Sequence, residues 1–280
     1  MAILSISSKY RTGALEIGHE LQKILGYKFI RLGGRGGLLH EAKRIGQQMK
    51  LYGAKDGEAS MECWGGNEFI SFMGLVQSVI FDHAAKDNVI ILSRAGNYLL
   101  KGIPHALGIR IMAPAEYRIE RLMEKEGVSH ETARLLVKQA DREIDCTIYQ
   151  LFGKGWDDPE AYEMAFDIRT QRHEEIIEIV RNLLISKDTL KTAESRDLLR
   201  LKALAARVKA KVAANQGFYA STLDMEIKGN GILLRGIVCG KVEQKKIERE
   251  AREIAGTVPL ICELNCQTLK KKKTLPLVEG

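Results

Sequence analysis

The sequence predicts an α/β protein, with a parallel sheet layered between helices over residues 1–186 and a smaller α+β unit of order α-β-β-α-β over 196–270. Three observations lead there. Short apolar runs alternate with amphipathic stretches at helical spacing, the pattern of strand–helix–strand units and a parallel sheet. The length, 280 residues, suits about two domains. Composition shifts after Ser186, where the polar stretch Lys187–Ser195 reads as a linker.

Ala2–Ser7 (AILSIS) reads as a short buried strand and Ser8–Gly13 as a polar loop. Ala14–Leu25 carries Leu15, Ile17, Leu21, Ile24 and Leu25 near helical spacing, and Gly26 stops it. Strand, tight loop and helix at the start of a sheet suit a nucleotide, because the helix N-terminus turns its free N–H groups toward the loop. Gly33, Gly34, Gly36 and Gly37 surround Arg35 and read as a surface loop. Helices are predicted over Leu39–Leu51 and Glu68–Lys86, and buried strands over Asn88–Ser93 (NVIILS) and Gly108–Met112. Glu116–Glu126 and Ser129–Gln150 follow as helices, the second capped by Ser129 with Glu131 in its first turn. A short strand over Ala165–Ile168 and a helix over 172–184 complete the first unit.

In the second unit, Arg196–Ala214 is amphipathic, with Leu199, Ala203, Ala206 and Val212 apolar. Strands over Thr222–Lys228 and Gly231–Cys239 flank the turn Gly229–Asn230–Gly231. A helix over Val242–Ala255 and a strand over Leu260–Leu269 follow. The last stretch opens with Lys270–Lys273, and 271–280 reads as a solvated basic tail.

Hydrophobic residues at 45% and charged residues at 28% exclude a disordered or collagen-like chain. Lys and Arg number 43 against 36 Asp and Glu, leaving +7, which fits an anionic partner such as a nucleotide, a nucleic acid or a lipid surface. No run of about 18 apolar residues is present, so no membrane-spanning helix is expected. Met1–Ser8 lacks the basic start of a signal peptide. Five scattered cysteines without a CxxC pair point to reduced thiols, and a cytoplasmic location is the expectation.

Several short stretches together resemble the cytidylate kinase-like family, relatives of nucleoside monophosphate kinases. They are Ser7–Ile17 (SSKYRTGALEI), Ser93-Arg94-Ala95, Met112–Arg118 (MAPAEYR), Asp141-Arg142, and Tyr162-Glu163 leading into Phe166-Asp167. The resemblance covers roughly residues 1–186 and implies a P-loop kinase-like three-layer α/β/α fold. Residues 196–269 resemble the BON domain through Val208, Val212, Ile232–Val238, Ala251, Ile254 and Ala255–Val258. That module is associated with phospholipid surfaces or other macromolecules, so a protein partner or an anionic lipid is implied for it.

Phosphoryl transfer needs a backbone cradle for the phosphates, cations over the transferred group and in-line placement of the acceptor. The Walker pattern GxxxxGK[ST] is absent. Gly13 is the one glycine in a loop where the family has several; Arg11 stands where a glycine is expected and Leu15 where a basic residue is common. Two readings of the loop therefore stand open: a divergent phosphate loop, or a strand–helix connection that has lost its ligand. On the first, Lys9, Arg11, Thr12 and Gly13 hold donor phosphates, with Ser8 or Thr12 near Mg²⁺. The resemblance implies Arg94 on the monophosphate side, where a planar guanidinium suits phosphate. It implies Arg118 near the donor nucleotide, with Arg121 left on a solvated face.

Arg134, Lys138 and Arg142 recur every four residues and make a basic stripe. By analogy with a lid that closes over the phosphates, Arg142 and then Lys138 are the lid cations, and together with Arg118 they are the catalytic candidates. Asp82 and Asp141 are minor candidates for the metal side. The dipeptides His19-Glu20, His40-Glu41, His130-Glu131 and His173-Glu174 never extend to HExxH, so no protein-held metal is expected. Trp64 and Trp156 read as packing or rim residues. The resemblance thus implies an ATP- and Mg²⁺-dependent nucleotide kinase acting on a pyrimidine monophosphate such as CMP or dCMP, with nucleic acid not expected as a partner. The alternative is a catalytically impaired nucleotide-sensing protein whose BON-like domain docks a partner or phospholipid.

Overall fold

The computed structural model describes residues 2–33, 36–49, 51, 66–215 and 217–267. Gly34, Arg35, Cys63, Trp64, the end of the strand predicted to Leu269 and the basic tail from Lys270 lie outside them. Two compact units divide the chain: Met1–Arg44 with Val79–Ala203, and Ile45–Ser78 with Leu204–Gly280.

The first unit is built on five strands: β1 (Ile3–Ser8), β2 (Lys28–Arg31), β3 (Val89–Ser93), β4 (Ala106–Met112) and β5 (Met164–Asp167). They lie in the order β2-β3-β1-β4-β5, and every pairing is parallel. β1 is central because its side chains are apolar on both faces. Leu4 and Ile6 meet one layer and Ile3 the other, and all three are fully buried. Each such side chain contributes roughly 1.5–3 kcal/mol on burial. Helices α1 (Ala14–Leu25) and α7 (His173–Asp188) close one face, with Ile17, Leu21, Ile176 and Val180 against Leu4, Ile6, Ile90 and Ile109.

Between β1 and β3 the chain forms β2 and α2 (Leu38–Gln48), then α3 (Gly66–Ala84), while the short α4 (Gly96–Leu100) follows β3. α5 (Ala115–Glu126) and α6 (His130–Phe152) lie between β4 and β5. Ser129 caps α6 by accepting the Thr132 N–H at 3.2 Å, and Gly153 ends it in a left-handed conformation. β2 and α4 escape prediction. β2 is a four-residue edge strand with exposed Lys28 and Arg31, too short for a periodic signal.

The second unit pairs β6 (Asp224–Lys228) antiparallel with β7 (Gly231–Val238) and β7 parallel with β8 (Leu260–Cys266). Its core joins Val208 and Val212 of α8 (Ala193–Ala213), Ile232 and Leu234 of β7, and Ile247 and Ala251 of α9 (Lys241–Ala255). The α-β-β-α-β order is the one the sequence predicts. Gly236 is required there, since a Cβ would lie 2.3 Å from the Phe218 ring.

The division differs from a break at 187–195 in two ways. Residues 66–78 of α3 group with the second unit, where the Ser71 hydroxyl donates to the Ala210 carbonyl at 2.8 Å. The polar stretch read as a linker is structured: it ends α7 and starts α8, leaving only 189–192 between them. Its polar side chains serve as partners. The Ser195 hydroxyl donates to the Thr192 carbonyl at 2.9 Å and lies 3.1 Å from His105 Nδ1, while Arg196 Nε donates to Asp87 at 2.8 Å. The four described cysteines, Cys146, Cys239, Cys262 and Cys266, are free. No described helix is long and apolar enough to cross a membrane.

Candidate functional site

In an open parallel sheet, ligands bind beyond the carboxyl ends of the strands, where successive connections leave in opposite directions. Lys9–Gly13 occupies that place, between the end of central β1 and the start of α1. Arg11 has φ 63° and Gly13 φ 95°. A left-handed backbone costs an arginine roughly 1–2 kcal/mol, so this loop keeps a glycine-type path without the glycine. The Arg11 guanidinium pairs with Glu126 at the end of α5 and lies 5.0 Å from the Tyr10 ring. Thr12 is buried, and its Oγ1 has no hydrogen-bond partner among the described residues.

The start of α1 is rich in charge, including Arg121, which the sequence alone leaves on a solvated face. A Cβ on Gly13 would lie 3.3 Å from Arg121 Nη1, so the Arg121 guanidinium sits against the loop. Arg121 Nη2 and Lys125 Nζ each donate to Glu16 Oε1 at 2.6 Å, and Arg121 Nη1 donates to the Tyr117 hydroxyl at 3.1 Å. Burial would raise the Glu16 carboxyl, but the Lys125 hydrogen bond and the Arg121 charge outweigh it and hold Glu16 below the ordinary range. Burial would likewise lower Arg121, and Tyr117 with Glu16 more than reverses that.

Asp141 of α6 gathers a second group. Arg118 Nη1 and Nη2 donate to its two oxygens at 2.8 and 2.7 Å, a bidentate pair, and Arg118 Nη1 also faces the Tyr10 carbonyl at 3.4 Å. Lys9 Nζ lies 4.0 Å from the same carboxylate. Arg118 is buried, and the sequence expectation of a donor-nucleotide contact meets a guanidinium already committed to Asp141 and the loop backbone. Asp141, a minor metal candidate from sequence, is occupied by these cations. Asp82 lies near the end of α3. Among the described residues, no group of three His, Cys, Asp or Glu side chains is placed to hold a metal ion.

Arg94 leaves the end of β3 half-buried, with no ion pair to a described residue. Burial lowers its guanidinium, and the charges of Glu143 and Asp141 offset that only in part. Its carbonyl accepts the Ser7 hydroxyl at 3.4 Å. Trp156, expected at most to pack or rim, is buried beside this point and donates its indole N–H to Ser7 Oγ at 3.2 Å. Lys9, Arg94, Arg118 and the loop are thus linked through Ser7 and Asp141. Arg142, Lys138 and Arg134 stand exposed on α6, without ion pairs among the described residues. The signal for Glu16 was its place in the Glu-Ile pair opening α1; that for Arg121 was its three-residue spacing from Arg118.

A model of the cytidylate kinase-like family matches residues 3–170. Among solved structures, an uncharacterized protein from Eubacterium ventriosum is similar at a TM-score of 0.52 and 16% identity, covering 66% of this chain and 98% of that one. A shikimate kinase from Bacteroides thetaiotaomicron is similar at 14% identity and a TM-score of 0.38, covering 65% of this chain and 98% of that one. A gluconokinase from Sinorhizobium meliloti stands at 15% identity and 0.38, covering 68% and 93%. No curated protein matches the chain.

Proposed function

Because the chain belongs to the cytidylate kinase-like family, we propose that it transfers a phosphoryl group from ATP to a pyrimidine nucleoside monophosphate of the CMP or dCMP kind. One observation carries the reading. The loop Lys9–Gly13 holds left-handed conformations at Arg11 and Gly13 around an unpartnered, buried Thr12 hydroxyl, directly before α1. Strain and an unsatisfied polar atom together cost a few kcal/mol and persist where function requires them.

On this reading the backbone N–H groups from Thr12 to the start of α1 receive the donor phosphates, with Lys9 and Arg11 supplying charge. Thr12 Oγ1 fits an oxygen ligand of Mg²⁺, and bound Mg²⁺–ATP would supply the phosphoryl group and its charge neutralisation. Arg94 receives the acceptor phosphate, because a desolvated guanidinium without a carboxylate gains most from an arriving dianion. Arg142 and Lys138 are solvated cations that can close over the transferred group. Arg118 acts through Asp141 and the Tyr10 carbonyl, as a positioning residue.

Release of ADP measured in a coupled assay with CMP, dCMP and UMP tests this; no turnover with any of them sinks it. A second reading has its own support. Arg11, Arg118 and Arg121 are all paired with carboxylates, as in a domain that binds nucleotide without turning it over. Calorimetric binding of ATP without ADP release would favour it. For residues 196–270, the BON-like reading rests on the sequence resemblance alone. Flotation of the whole chain with anionic liposomes tests the lipid partner.

A further inference from the structure

We propose, resting on the acceptor-side reading above, that Trp156 is a positioning residue for the acceptor phosphate: its indole fixes Arg94 through Ser7 and gathers Lys9 and Arg110 on one uncharged ring. Register places Ser7 of β1 beside Ser93 of β3 and Arg110 of β4. Lys9, Arg94 and Arg110 therefore arise from the three neighbouring strands in the middle of the sheet, toward their carboxyl ends. Trp156 reaches those strands from the segment after α6. Its N–H donates to Ser7 Oγ at 3.2 Å, and the Ser7 hydroxyl donates to the Arg94 carbonyl at 3.4 Å. Arg110 Cζ lies 4.0 Å and Lys9 Nζ 5.0 Å from the indole centroid, both within cation–π range. The ring is itself held: the Tyr162 hydroxyl donates to the Trp156 carbonyl at 2.9 Å, and the Tyr162 ring meets the indole edge-on at 6.2 Å.

The chemistry explains why an indole suits this place. Cations drawn together repel, and a carboxylate would quiet them only by taking up the charge a phosphate needs. A ring quadrupole steadies them and leaves their positive charge intact. Arg110 also pairs directly with Asp157, a largely solvent-exposed carboxylate, and Asp141, 4.0 Å from Lys9, is already held by the bidentate Arg118 pair. Arg94 has no such partner among the described residues. The ligand class that fits is a phosphate monoester dianion approaching the ends of β1, β3 and β4.

Two variants of the full chain test this. Trp156→Phe keeps a ring for both cations and removes the N–H. Ser7→Ala keeps the indole and removes the hydroxyl relay. Calorimetry with CMP, dCMP and UMP is expected to give about tenfold weaker binding in each, the loss of one buried hydrogen-bonded link, with ATP affinity changed less than about twofold. Monophosphate binding unchanged in both variants overturns the proposal. So does a parallel fall for ATP and monophosphate, which general loss of packing would give. If Trp156→Phe fails to fold, Ser7→Ala alone decides. Wild-type protein that binds none of the three monophosphates overturns the acceptor-side reading itself, and the proposal with it.

Discussion

The two sides of the site treat their cations differently. On the α1 side each arginine has a carboxylate: Arg11 with Glu126, Arg118 with Asp141, Arg121 with Glu16. On the β3 side Arg94 is half-buried and has none among the described residues. A paired cation is structurally stable and must be released before it can hold an anion. An unpaired, desolvated one destabilises the empty protein and gains the most when an anion arrives. On the function proposed above, the contrast separates residues that shape the loop from the one proposed to receive the acceptor phosphate.

Arg94→Met should sharpen the contrast most. Transfer to CMP is expected to fall about a hundredfold, the value of a charge-assisted contact. The melting temperature should hold or rise, because a partly desolvated charge without a carboxylate is gone; a clear drop in melting temperature would argue that Arg94 has a hidden structural partner. Arg118→Met should do the reverse and cost about 3 kcal/mol in urea unfolding, because Asp141 then stays half-buried without its bidentate partner. Unchanged stability there would break the comparison.

Arg11→Gly should be gentler. It relieves roughly 1–2 kcal/mol of left-handed strain and gives up one Glu126 pair together with some backbone entropy. Stability should stay nearly level while ATP affinity, read by calorimetry, falls about threefold with the loss of a phosphate-facing charge; unchanged or tighter ATP binding would show that the pairing with Glu126 keeps the guanidinium off the phosphates. The smallest effect is on pH dependence. Glu16 is held below its ordinary 4.5 in the folded protein, so its contribution is complete above that pH and is lost as pH falls through the folded value. Stability followed from pH 6 to pH 3 should fall less steeply in Glu16→Gln than in the wild type.

The layered sheet and nearly every long element were legible, because strands such as Asn88–Ser93 and helices such as Ala14–Leu25 carry strong periodic signals. The five-stranded sheet was only partly so, since four-residue β2 at the edge is half charged. Arg94 could be singled out because it directly follows a buried strand. The commitment of Arg118 could not, since a bidentate partner 23 residues away leaves no mark on local spacing. Trp156 stayed hidden for a similar reason: its Ser7 partner lies 149 residues off. Polar 187–195 was read as a linker because composition alone cannot tell solvated side chains from those spent on caps and on Asp87 and His105.

The central place of β1 also sets when the protein can begin to fold. Ile3 lies beside Val89 and Ala106, so β1 leaves the ribosome with no partner in its sheet until about a hundred more residues are made. At about 5–20 residues per second that is roughly 5–20 s, during which an apolar strand waits with open edges. The loop Lys9–Gly13 has to wait with it, so its strained backbone is imposed late, by strands made after the one they enclose.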